Sequence, residues 1–234
     1  NDVIADDVSP PADLLLTKSV VGAWRAAEES ALRPLYSETV AQHVPGWAAD
    51  PDKFWYATGM SETVIAYAGE EPVVSALADL GHKRFRGRLC LSSSANETNR
   101  AVIAMAISRA GGDTRPAELM VREWVANLAV GPLPTEQDLA AAIATGRCGI
   151  GLVSRSVAES EGLQVLELPE QTANIEAVGV GRHARNPDGA AQLAEWLITR
   201  STWPAESGEV SENVGRLARY YDEAVLLAER ARYY

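Results

Sequence analysis

The densest run of chemically useful side chains is Ser92-Ser93-Ser94-Ala95-Asn96-Glu97-Thr98-Asn99. It places hydroxyls and an amide where a strand pattern over residues 87–94 gives way to a helix pattern over residues 96–110. At such a junction, unsatisfied backbone N–H groups and the helix dipole favour an anion or a polar ligand. The plainer reading of the same residues is a helix cap at Asn96. Other groups carry less. His43, His82 and His183 have no ligand partner three or four residues away and read as surface or capping residues. The adjacent acids Asp6-Asp7, Glu28-Glu29 and Glu70-Glu71 would point to different faces of a helix and read as solvated surface. Tyr220-Tyr221 and Tyr233-Tyr234 would diverge by about 100° on a helix, which favours packing over paired phenolates. Cys90 and Cys148 lack metal-ligand spacing. In a cytosol they would be two small buried hydrophobes; in an oxidising compartment a bridge closing the intervening ~57 residues would stabilise the fold by roughly 4 kcal/mol on the chain-entropy model. There is no nucleophile elbow, phosphate loop or dinucleotide-binding glycine pattern. No enzyme activity, catalytic residue, metal site or cofactor is therefore expected.

The elements that must hold these groups follow from composition and periodicity. The chain has 234 residues, 47% of them hydrophobic, and 32 acidic against 21 basic side chains for a net charge of −11. That suits a core-forming globular protein of one or two lobes. It argues against nucleic acid or an anionic membrane as partner, because both need clustered cations. No run approaches the about 18 apolar residues of a membrane span, so no membrane insertion is expected. Residues 9–11 read as an extended lead-in, and residues 12–17 as a buried strand followed by a helix that Pro34 stops. Residues 54–67 read as two extended segments joined by a bend around Gly59 and Ser61. Further helices are expected over residues 116–128, 136–145, 187–199 and 213–231, with strands over 148–154, 163–168 and 176–181 and an irregular stretch over 203–210. Strands alternating with helices predict an α/β class with a largely parallel sheet.

Several segments, in order, resemble the periplasmic ferric-ion-binding proteins of ABC transporters. They are Ser9-Pro10-Pro11-Ala12-Asp13-Leu14-Leu15-Leu16-Thr17, Leu32-Arg33-Pro34-Leu35, Gly87-Arg88-Leu89-Cys90-Leu91-Ser92-Ser93-Ser94-Ala95-Asn96, Trp124-Val125-Ala126-Asn127-Leu128-Ala129, Arg147-Cys148-Gly149-Ile150-Gly151-Leu152-Val153-Ser154 and Asp222-Glu223-Ala224-Val225-Leu226-Leu227. The resemblance covers nearly the whole chain. It implies an α/β, two-lobed class II periplasmic-binding-protein fold, a periplasmic location, a Cys90–Cys148 disulfide and a ligand between lobes. On that mapping lobe one is residues 1–79 plus 172–199, lobe two is residues 80–171, and residues 200–234 form a helical segment packing on lobe two.

The sequence departs from the family pattern in two ways. It begins near the family's third strand, so the first lobe is expected to be incomplete and to need a protein partner or a second chain to complete it. The family's tandem tyrosines, which suit hard Fe(III) as phenolates, correspond to Ser156 and Val157, a further tyrosine corresponds to Thr98, and cations stand at Lys18 and Arg155. The expected role is a degenerate, periplasmic solute-binding-protein-like module that serves as a subunit or interaction partner and does not hold Fe(III) through tyrosines. The alternative is the substrate-binding protein of an ABC transporter, working with its permease and carrying iron or a small polar or anionic solute. The candidate cleft residues are Lys18, Ser61, Ser93, Ser94, Asn96, Thr98, Ser154, Arg155 and Ser156.

Overall fold

A computed structural model describes residues 12–167, 173–201 and 214–234. The expected lead-in at residues 9–11, the irregular stretch at 203–210, the last residue of the 163–168 strand and the first of the 213–231 helix lie outside the described residues. The chain divides into two compact units, Asn1–Met60 with Ile175–Ala218 and Ser61–Asn174 with Arg219–Tyr234.

The first unit contains β1 (Leu14–Thr17), α1 (Val20–Glu28), β2 (Leu32–Arg33) and α2 (Glu38–His43). Next comes β3 (Tyr56–Tyr67), a 12-residue strand that runs on into the second unit. Ser19 and Ser37 accept the N–H groups of Val21 and Val40, so each of the two helices starts on a hydroxyl cap. Its core is two clusters, one around Trp55, Leu32 and Ala26 and one around Tyr56, Val178 and Ile198. Trp55 and Tyr56 face different clusters because successive strand residues point to opposite faces.

The second unit contains β4 (Leu89–Cys90), α3 (Glu97–Arg109), α4 (Thr114–Asn127), α5 (Glu136–Ala144), β5 (Ile150–Ser154), α6 (Arg155–Ser160) and β6 (Gln164–Leu166). The chain then returns to the first unit through β7 (Ala173–Gly181), which pairs with β1 and β2, and α7 (Pro187–Thr199). It ends with α8 (Val214–Arg230), whose residues from Arg219 onward belong to the second unit. The core of that unit is built on Trp124, Ile103, Leu89, Leu227 and Tyr233. Trp124 donates its indole N–H to the Leu77 carbonyl at 3.0 Å and Asn127 donates to the carbonyls of Leu80 and His82, so α4 holds the irregular chain before β4. A second cluster surrounds the disulfide between Cys90 and Cys148, whose Cα atoms are 5.8 Å apart. The bridge implied by the family resemblance is present.

Four expectations change. The sheet is mixed, with antiparallel pairing of β7 with β1 and β2 and of β3 with β5 and β6; among the named pairs only β4 with β5 is parallel. Apolar runs between helices reveal that strands exist but not their direction, because the side-chain period of 2 is the same for both. Residues 54–67 contain no bend at Gly59 or Ser61; β3 is continuous through both. The strand expected over 87–94 is confined to Leu89–Cys90, and Ser92 makes only an isolated bridge to Leu133. Residues 61–79 sit with the second unit, since Thr63 to Tyr67 pair with β5, which differs from the sequence-based limit at 79. No helix among the described residues is long and apolar enough to cross a membrane.

Candidate functional site

β4 and β5 run parallel with Leu89 opposite Ile150 and Cys90 opposite Gly151. They approach closely because residue 151 has no side chain; a Cβ there would come within 2.7 Å of Leu139 and 2.8 Å of the Cys90 carbonyl oxygen. Both strands therefore end at one edge of the second unit, and each passes into a helix. The register also pairs Thr63 of β3 with Ser154, so Ser61, two residues beyond, lies toward the same edge. Eight of the nine candidate residues belong to the second unit; Lys18, exposed after β1, belongs to the first.

After β4 the chain forms a loop closed by its own side chains. Ser93 donates its N–H to the Leu133 carbonyl at 2.7 Å, its hydroxyl accepts from Ala95 N–H at 3.2 Å, and its carbonyl accepts from Asn96 N–H at 2.9 Å. Asn96 caps α3 by accepting from Thr98 N–H at 2.8 Å. Asn99, 2% exposed, turns back on the loop and donates its amide to the Ser92 carbonyl, the Ser92 hydroxyl and the Ser93 carbonyl. Its Oδ1 is buried and has no hydrogen-bond partner. Ser93, Ser94 and Asn96 are half-buried and Thr98 is buried. The lining is thus hydroxyl-rich, placed on the positive end of a 13-residue helix whose first turn also carries Glu97, 3.6 Å from Arg100.

The end of β5 is organised differently. The Ser154 hydroxyl and N–H both donate to Oε2 of Glu136, at 2.6 and 3.2 Å, and Glu136 is itself buried at the first turn of α5 with Oε1 unpartnered. Arg155 donates its Nε to Glu62 and its Nη2 to Glu167, both at 2.7 Å, and Glu159 stands 3.8 Å from Nη1. These bonds raise the Arg155 pKa above its ordinary value. Its charge is neutralised by its own chain. Ser156 is exposed.

The sequence reading missed Glu136, Glu62, Glu167, the turn of Asn99 back onto Ser92 and the contact of Tyr233 with Ser92. Glu136 was visible only as the first acid of a helix after Thr135, and its partner lies 18 residues away. Tyr233 is fully buried, in keeping with packing, and its hydroxyl donates to the Ser92 carbonyl at 2.6 Å. Among the described residues no group of three or more His, Cys, Asp or Glu side chains could hold a metal ion. Of the other tyrosines, Tyr56 donates to the Leu35 carbonyl and Tyr36 and Tyr234 are exposed.

No family model matches the chain. It is 25% identical over 218 residues to iron uptake protein A1 of Synechocystis and 24% identical over 221 residues to iron uptake protein A2, covering 83% of this chain in each case. It spans 59% and 62% of the lengths of those two proteins. Among solved structures, apo ferric ion-binding protein A of Pasteurella haemolytica matches 99% of this chain and 86% of its own with a TM-score of 0.83 at 20% identity. A Trichodesmium protein (IdiA, FutA) in complex with iron and citrate matches 99% and 87% with a TM-score of 0.80 at 23% identity. The likeness to these structures establishes the fold.

Proposed function

We propose that this chain, related to the ferric-ion-binding solute-binding proteins, is a periplasmic solute-binding component of an ABC transporter, working with a permease, whose second unit engages anionic oxygens of its solute. The single observation that carries the reading is the loop over residues 92–98, where hydroxyls of Ser93, Ser94 and Thr98 meet the N-terminus of α3. A helix N-terminus of this kind accepts phosphate, carbonate or carboxylate. The relatives' names point to iron as cargo. With Ser156 and Val157 at the start of α6, a preformed anionic chelate fits this half-site better than a bare ferric ion held by phenolates. Arg155, tied to Glu62 and Glu167, is excluded from the anion-binding set, and Ser61, in the same unit, is a candidate for the rest of the solute.

The test is thermal unfolding with citrate, phosphate, bicarbonate and ferric citrate. Saturation at about 100 times Kd adds ~2.7 kcal/mol, so an anion or the chelate should raise Tm by several degrees without a visible phenolate-to-iron band. A band that survives competition by citrate would show direct tyrosine ligation and overturn the chelate reading. Self-association with no shift from any of the four would favour the alternative, an interaction module that carries no solute.

A further inference from the structure

The last turn of α8 closes with the paired bonds of a Schellman motif: Tyr233 N–H to the Ala228 carbonyl at 2.9 Å and Arg232 N–H to the Glu229 carbonyl at 3.0 Å. Arg232 takes the left-handed conformation this requires, with φ of 58°. The reversal turns the next residue back into the protein. Tyr233 is completely buried in the cluster that includes Leu89, Leu91, Val102 and Ile103, side chains that flank the start of the loop over residues 92–98.

A phenylalanine would fill the same space, so the hydroxyl carries information beyond packing. A buried O–H without an acceptor is costly, and this one reaches the Ser92 carbonyl, 141 residues away in sequence. Burial pushes the phenol pKa well above its usual value, so it stays a donor. The Ser92 carbonyl and the Ser93 N–H belong to one rigid peptide plane. Tyr233 and Asn99 hold the carbonyl edge, at 2.6 and 3.1 Å, and the Leu133 carbonyl holds the N–H edge at 2.7 Å. Everything downstream hangs from that plane: the Ser93 hydroxyl and carbonyl that receive Ala95 and Asn96, and then the cap of α3.

We propose that Tyr233 is a positioning residue for the loop over residues 92–98, orienting its first peptide plane through the Ser92 carbonyl. The relevance to solute rests on the function proposed above; the positioning itself does not. Tyr233→Phe in the full chain tests it by amide hydrogen exchange. Exchange over residues 93–96 should rise about five- to tenfold, the equivalent of one lost hydrogen bond, while residues 150–153 keep their protection. Tyr56→Phe, which removes a comparable phenol bond to Leu35, should leave residues 93–96 unchanged. Unaltered exchange at 93–96 in Tyr233→Phe, or an equal rise throughout the second unit, would overturn the proposal. In parallel, citrate or phosphate titration should show weaker binding by Tyr233→Phe than by the parent by a similar factor. A parent chain that binds neither anion would sink the solute reading and leave the exchange result to decide the role of Tyr233.

Discussion

The ends of β4 and β5 lie side by side on neighbouring parallel strands, and both lead into helices, yet they present opposite chemistry. The chain after β4 enters a 13-residue helix through a capped, hydroxyl-rich loop whose bonds are mostly internal. The chain after β5 enters a 6-residue helix whose Ser154 has no capping bond, because its hydroxyl goes to Glu136, and whose Arg155 is committed to glutamates. The difference shows that position at a strand end does not make a binding group. What counts is whether the polar atoms there are already satisfied by the protein.

The largest expected effect comes from a feature common to both ends. The Cys90–Cys148 bridge ties β4 to the chain entering β5. Reducing it, or replacing both cysteines with alanine, should cost about 4 kcal/mol on the chain-entropy model, within a usual range of about 2–5. Urea unfolding with and without reductant measures it, and both strand ends should lose exchange protection together. Loss at the β5 end alone would break the idea that the two are one edge.

Glu136→Ala should act next, and on one side only. It removes the acceptor of two buried Ser154 donors, leaving them unsatisfied at a cost of about 2–3 kcal/mol. Glu136→Gln, which keeps an acceptor oxygen, should lose roughly half as much. Exchange near residues 154–156 should rise while residues 93–96 stay protected. Equal disturbance of both would mean that Glu136 supports the whole edge.

The β4 side was the more legible of the two in sequence, for a physical reason. Helix caps and stops are local: Asn96 and the glycine pair at 111–112, with φ of 67° and 94°, bound α3 to within a residue of expectation. The hydroxyl-rich loop was equally visible because its internal bonds span two to seven residues, while its anchors at Leu133 and Tyr233 lie far away in sequence and went unseen. At the β5 end the deciding partners are 18, 93 and 12 residues away, on α5, β3 and the chain after β6. Nothing in the run Ser154-Arg155-Ser156 announces them, so Arg155 read as a cation available to a ligand. Strand direction failed for a related reason, since pairing depends on tertiary contacts that alternation does not encode.

Arg155 gives the smallest expected effect on stability and the sharpest test of the contrast. Its side chain is 27% exposed and its partners Glu62 and Glu167 are 45% and 61% exposed, so solvent screens these pairs and each contributes only a few tenths of a kcal/mol to about 1. Arg155→Met should therefore lower stability by about 1 kcal/mol or less, and the loss should shrink as salt rises from 0.05 to about 1 M, where the Debye length falls to ~3 Å. If the guanidinium is occupied by its own chain, the variant should retain whatever citrate or phosphate affinity the parent has at the α3 end. A loss of anion affinity with little change in stability would mean that a ligand displaces Glu62 or Glu167 from Arg155. The two strand ends would then be two halves of one anion site, and the contrast between them would reduce to which half is preassembled.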